Sequence, residues 1–208
     1  MNSTYIDSND KKASKVFSEI FKKYIDTYYN DSKFTDIVIL CMGTDRSTGD
    51  SLAPMVGYKL KKMNIPNVYG TIHNPVHAKN LEETIETINS KYEKPFIIAI
   101  DACLGSINHI GSITIKEGRM KPGSGLNKSF PEVGDVSIAG IVNYSDGHIN
   151  FMILQNTRLS TVIKIADVIV YGISKYYKNQ NIKLRKGVGY EKVFILRKYR
   201  NRCIQNVF

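Results

Sequence analysis

"DIVILCMG" (Asp36–Gly43) is a continuous apolar, largely β-branched run closed by a glycine, the pattern of a strand buried on both faces. "TDRSTGDSLAP" (Thr44–Pro54) follows it, and Leu52, Met55, Val56 and Leu60 then recur at helical spacing until Asn64–Pro66. A glycine-containing turn between a buried strand and a helix commonly cradles an anion, because the helix N-terminus offers unpaired N–H groups. Asp45 and Asp50 carry the wrong charge for a phosphate there, so the acids point to a different chemistry.

The alternation extends in both directions. Upstream, Val16, Phe17, Ile20, Phe21, Tyr24, Ile25 and Tyr28 place one apolar face on a helix over Lys12–Tyr29. Residues 1–11 are polar and read as a flexible N-terminus that leads straight into this helix. Downstream, "NVYGTI" (Asn67–Ile72) reads as a second strand, and Asn80 with Glu83 reads as a capping box opening a helix over Leu81–Tyr92. "PFIIAIDA" (Pro95–Ala102) is a third buried strand. "SITIKEG" and "DVSIAGIV" follow as further strands, separated by Arg119–Gly134 as an exposed loop. A long amphipathic helix covers Asn156 to about Tyr177, and beyond Lys178 the periodicity fades, leaving "KVFILRKYR" open between strand and helix. The expected fold is a three-layer α/β sandwich with a mostly parallel, mixed and twisted sheet of phosphorylase/hydrolase-like type. Residues 12–178 form its single domain, and 179–208 are a basic extension.

Composition narrows the functional classes. Of the net charge of +10, residues Asn181–Phe208 supply eight cations against Glu191, leaving only about +3 on the remaining 180 residues. The body is therefore not an evident nucleic-acid binder, whereas the tail suits DNA or an acidic partner. Cys41, Cys103 and Cys203 are far apart and odd in number, against a disulfide framework or a structural zinc site, and fit a reducing cytoplasm. No apolar run reaches the roughly 18 residues of a membrane span, and the N-terminus lacks a signal-peptide core.

In an open parallel sheet, ligands collect at the carboxyl ends of the strands where strand order reverses. The first strand leads to Asp45 and Asp50, and the third carries Asp101 at its carboxyl tip. Two carboxylates brought together cannot both ionise cheaply, so the pair can hold an acid and a base at neutral pH. The same pair could hold a divalent metal. Against these readings, Asp50 could merely cap the helix beginning near Ser51, and Asp101 could bond turn amides. The loop lacks both the G-K-[ST] of a P-loop and the G-x-G-x-x-G of a dinucleotide fold, which argues against nucleotide binding. Cys103 could present a thiol beside Asp101. His73 and His77 of "HNPVH" could reach the same crevice, though Pro75 keeps them off a common helical face. In "KPGSG" (Lys121–Gly125), proline stiffness and glycine freedom could present N–H groups, Ser124 and Lys121 to a peptide or anion.

"GTDRSTGDSLAP", "AIDACLG", "GRMKPGSGLNKSFPEVGDVSIAGIVN" and "LQNTRLSTVIKIADVI" together resemble the YyaC-type sporulation proteins of spore-forming Firmicutes, over about Phe34–Tyr177. Ala53 stands where that pattern has glycine. The family is similar to the spore germination protease and, more distantly, to the hydrogenase-maturation endopeptidases. The resemblance implies an atypical aspartic-protease pair at Asp50 and Asp101. It is also compatible with a divalent metal, since the maturation enzymes bind metal with acids at comparable points. It further implies a substrate-facing segment at "KPGSG", so Asp45, Arg46, Lys121, Gly123, Ser124 and Gly125 are expected to position substrate. The expected protein is a cytoplasmic endopeptidase of the forespore or spore core, acting on small spore proteins without a bound cofactor. The alternative is a non-catalytic sporulation factor that docks peptides in the crevice and contacts DNA or an acidic partner through its tail.

Overall fold

The computed structural model describes residues 4–30, 32–122 and 131–186, the last six as backbone only. Six strands form one mixed sheet: β1 (Thr4–Asp7), β2 (Asp36–Cys41), β3 (Val68–Tyr69), β4 (Pro95–Gly105), β5 (Ser112–Glu117) and β6 (Val136–Tyr144). Their spatial order is β1-β5-β6-β4-β2-β3. β3, β2, β4 and β6 run parallel, while β5 is antiparallel to both β6 and β1. The helices are α1 (Ala13–Tyr28), α2 (Leu52–Lys62), α3 (Leu81–Lys91), α4 (Asn150–Gln155) and α5 (Leu159–Lys186). This is the mixed-sheet α/β sandwich read from the sequence.

Alternation along the central strands sorts their side chains onto two faces. Ile39, Ile98, Ile100, Ile113 and Ile138 meet α1, α2 and α5 on one face, where Phe17 and Phe21 of α1 are completely buried. Each of those rings contributes about 2–3 kcal/mol of burial. Val38, Leu40, Met42 and Ala99 meet Leu81 and Ile88 of α3 on the other face. α2 lies so close to the sheet that a Cβ on Gly57 would overlap the Gly70 carbonyl, and one on Gly70, at φ +82°, would overlap the Cys41 carbonyl. These backbone-to-backbone contacts fix how α2, and the turn leading into it, sit over β2 and β3.

Several local expectations change. Thr4–Asp7 pairs with β5 as an edge strand instead of fraying, because Ile6, 4% exposed, reaches the core. The Arg119–Gly134 stretch is not wholly an exposed loop: Met120 and Val133 exchange backbone hydrogen bonds at 2.9 and 3.0 Å, and Val133 is buried beneath α3's face of the sheet. The second strand shortens to Val68–Tyr69. α4 was not anticipated, and α5 begins at Leu159 and continues past Tyr177. "KVFILRKYR" lies outside the described residues, as does the tail from 187 onward.

Candidate active site

β3 lies outside β2, and the chain then crosses back to place β4 on β2's other side, so strand order reverses between β2 and β4. The crevice beyond their carboxyl ends is where the two acidic motifs arrive. β2 ends at Cys41, opposite Ile100 of β4, and Asp101 is the next residue along β4. Asp101 is not the tip of its strand, however. β4 runs on to Gly105 against β6, with a register shift between Cys103 and Leu104, and Asp101 is partnered in register with Ala139. The strand lengthens because β6 continues to offer ladder partners after β2 has turned away. Asp101 shares the side of the strand that carries Ala99, is 7% exposed, and accepts the Ala102 amide at 2.8 Å through Oδ1.

Asp50 reaches the crevice through a tight path. Gly43 adopts φ +144°, and a Cβ there would collide with the Asp50 carbonyl oxygen. That carbonyl accepts the Thr44 amide at 3.1 Å, folding the Thr44–Asp50 loop back on the end of β2. Asp50 itself lies in a short 3-10 turn, Gly49–Ser51, that runs directly into α2. Neither this turn nor α2 has a side-chain cap hydrogen bond at its N-terminus. Asp50 thus lies one residue before the N-cap position of α2, which Ser51 occupies. Burial pushes its carboxyl above the ordinary aspartate range, opposed by the Thr44 amide and by the charge of His77.

α4 walls the same crevice. A Cβ on Gly49 would press on Leu154 and on the Thr157 hydroxyl, so the turn bearing Asp50 packs directly against the C-terminal end of α4. Asn143 at the end of β6 donates to the Ile153 carbonyl at 3.4 Å and to the Thr157 hydroxyl at 3.3 Å, tying α4 to the sheet. Phe151, three residues before Leu154 on α4, is 56% exposed. The sequence signal for this wall was the apolar run "NFMIL" (Asn150–Leu154) ahead of the longer helix.

The remaining predicted residues separate. Asp45 and Arg46 are exposed on the outside of the loop, with the Arg46 amide donating to the Thr44 hydroxyl at 3.3 Å. Lys121 is exposed and ion-paired with Glu132 at 3.4 Å. Gly123, Ser124 and Gly125 lie outside the described residues. Cys103 is a poor nucleophile: burial, reinforced by the charge of Asp101, pushes its thiol up to about 12. Among the described residues, no three His, Cys, Asp or Glu side chains gather as metal ligands, so Asp50, Asp101 and a histidine do not form the three-residue cage a divalent ion would fit. His73 is exposed and stands edge-on to Tyr58, with ring centroids 5.5 Å apart. No helix among the described residues is long and apolar enough to cross a membrane.

Comparison with known proteins agrees with this architecture. The fold is similar to that of the crystal structure of a [NiFe] hydrogenase maturation protease, HycI, from Thermococcus kodakarensis KOD1, with a TM-score of 0.50 and 18% identity, covering 78% of this chain and 99% of that one. At that identity the likeness is one of fold. In sequence, the chain is 45% identical over 172 residues to the uncharacterized protein YyaC of Bacillus subtilis (strain 168), covering 82% of each. Residues 5–172 match the family model described as "Protein of unknown function (DUF1256)", and the chain belongs to that family.

Proposed function

We propose that this protein is an endopeptidase of spore-forming cells in which Asp50 and Asp101 act as a proton-sharing pair on small spore proteins of the acid-soluble, DNA-coating type. What supports the reading is the burial of both acids, Asp101 on β4 and Asp50 in the turn that follows β2, two neighbouring parallel strands, with burial raising the Asp50 pKa. Asp50, held above its ordinary pKa by burial, is the partner suited to keep the proton. Asp101 then takes a proton from water as its oxygen attacks the peptide carbonyl carbon, while Asp50 donates to the carbonyl oxygen. Collapse of the gem-diol intermediate breaks the C–N bond: the departing nitrogen receives the proton held by Asp101, and a hydroxyl proton returns to Asp50 as the new carboxyl group forms, restoring the pair.

The test is to incubate the purified protein with small acid-soluble spore proteins and identify new peptide termini by mass spectrometry. D101N is expected to lower turnover by about 10²-fold or more while leaving the fold intact. Unchanged turnover in D101N would remove the carboxylate mechanism. Binding of the same proteins without new termini would favour a docking role for the crevice.

A further inference from the structure

The register of β2 against β4 ends at Cys41 and Ile100, and the Met42 amide closes that ladder by donating to the Ile100 carbonyl at 2.8 Å. The chain then turns toward the β3 side: Met42 forms a parallel bridge with Val76, and the Gly43 amide donates to the Val76 carbonyl at 2.7 Å. β4 does not turn with it. It runs on from Asp101 to Gly105 along β6, where the Gly105 carbonyl accepts the Ser145 amide at 2.9 Å. Over that continuation, β4 is laddered on one side only among the described residues.

Alternation decides which backbone groups point into the lane that β2 leaves. Ile100 directs its carbonyl toward β2, and Gly105, an odd number of residues later, directs its own toward β6. The register shift after Cys103 skips Val142 of β6 and leaves the alternation of β4 itself intact. Ala102 and Leu104 therefore turn their N–H and C=O groups away from β6, into the lane. Strand groups without a ladder partner are costly unless another group meets them. The Ala102 amide has a substitute acceptor, Oδ1 of Asp101 at 2.8 Å, so the side chain of the neighbouring residue stands in for the missing strand. Ala102 and Leu104 are half-buried, not sealed. Donors and acceptors repeating at strand spacing are matched by an extended polypeptide, whose own backbone repeats both groups at the same interval.

We infer that the edge of β4 from Ala102 to Leu104 binds an extended segment of the substrate protein as an added strand, in the lane that β2 leaves. The inference deepens the peptidase reading above and rests on it for the role of Asp101. When a substrate carbonyl takes the Ala102 amide, Oδ1 of Asp101 exchanges that amide for water. A carboxylate relieved of an amide donor is a stronger base, so strand addition and activation of Asp101 become one event. Recognition through the main chain defines the substrate class as extended or unfolded polypeptide, with side chains supplying the finer selection.

The test uses backbone substitution in the ligand. Short overlapping peptides that tile a small acid-soluble spore protein are titrated into the full-length D101N protein, which keeps an Oδ1 acceptor beside Ala102 and lacks the proposed base. The tightest binder is then remade with a single N-methyl group at each residue in turn. Whether the added strand runs parallel or antiparallel, its N–H groups meet the Ala102 and Leu104 carbonyls from two residues with one residue between them. N-methylation at those two is expected to weaken binding by about tenfold each. Methylation of the residue between them, whose N–H points the other way, is expected to change binding by less than about twofold. Losses without this alternation, or no binding by any of the peptides, would overturn the inference even if wild type cleaves the intact spore protein. The alternating pattern, in a protein whose wild type yields no new termini, would support the added strand and count against the peptidase reading alone.

Discussion

Gly43 and Asp50 are in direct backbone contact: the Asp50 carbonyl occupies the space a Gly43 side chain would need, and Gly43 holds φ at +144°. Glycine alone adopts that conformation cheaply, and here it also admits the loop that carries the acid. G43A is expected to cost about 2–4 kcal/mol of stability and to displace Asp50, measured as a lowered denaturation midpoint with loss of any peptidase activity. An alanine variant of unchanged stability would show that the loop can reach the crevice by another path.

Asp50 pays a desolvation cost when ionised, and this gives stability a definite pH dependence. Its pKa is higher in the folded than in the unfolded chain, so its contribution is favourable below the unfolded value and is lost as pH rises through the folded one. D50N should therefore be more stable than wild type at neutral pH, with the difference closing below about pH 4, where the unfolded carboxyl also becomes neutral. Thermal melts of both proteins from acidic to neutral pH would check this, and a D50N variant less stable at pH 7 would contradict it.

Cys103 is next-but-one to Asp101 on the same face of β4, yet its thiol is pushed up to about 12 by burial and by that neighbouring charge. Alkylation at pH 8 should leave it unmodified in the native protein. C103A should cost under about 1.5 kcal/mol, the loss expected for a small half-buried group. Activity should stay within about twofold, because the thiol takes no part in the proposed chemistry. Inactivation by a thiol reagent in wild type but not in C103A would transfer the nucleophile from water to sulfur.

Gly57 marks the closest approach of α2 to the sheet, where an added methyl would meet the Gly70 carbonyl and approach Cys41 Sγ at 3.2 Å. Neither Gly70 nor the β2 backbone can yield easily, since a Cβ on Gly70 would itself overlap the Cys41 carbonyl. G57A should destabilise by about 3 kcal/mol despite alanine's better helix propensity, and chemical denaturation would register it as a lower midpoint. A neutral or stabilising effect would mean that α2 can lift from β3 without cost.

Periodicity in the sequence was enough to place β2, α2, α3, β4 and the start of β6, because continuous apolar runs and helical stripes reflect burial that each segment requires wherever it packs. The two acidic motifs were likewise legible, since a carboxylate beside a buried strand stands out against its surroundings. The same local signals misplaced Asn80, whose side chain has two competing uses within reach. The His77 amide and Pro75 carbonyl took it from the helix terminus. Asp101 read as a strand tip because a carboxylate interrupts the apolar run there, whereas the strand's true length depends on β6, more than thirty residues later.

From sequence alone follow the α/β class, the order of the main elements and the pair of motifs at the carboxyl ends of two parallel strands. Only the tertiary structure decided that Thr4–Asp7 closes the sheet edge, that Val133 folds back beneath it, and that α4 walls the crevice. It also decided that the turn bearing Asp50 folds back onto Gly43 and buries its carboxyl group. The physical reason is range. Hydrophobic spacing is written into neighbouring residues, but which polar group satisfies which is settled by long-range strand pairing, and that pairing sets the environment of each carboxylate.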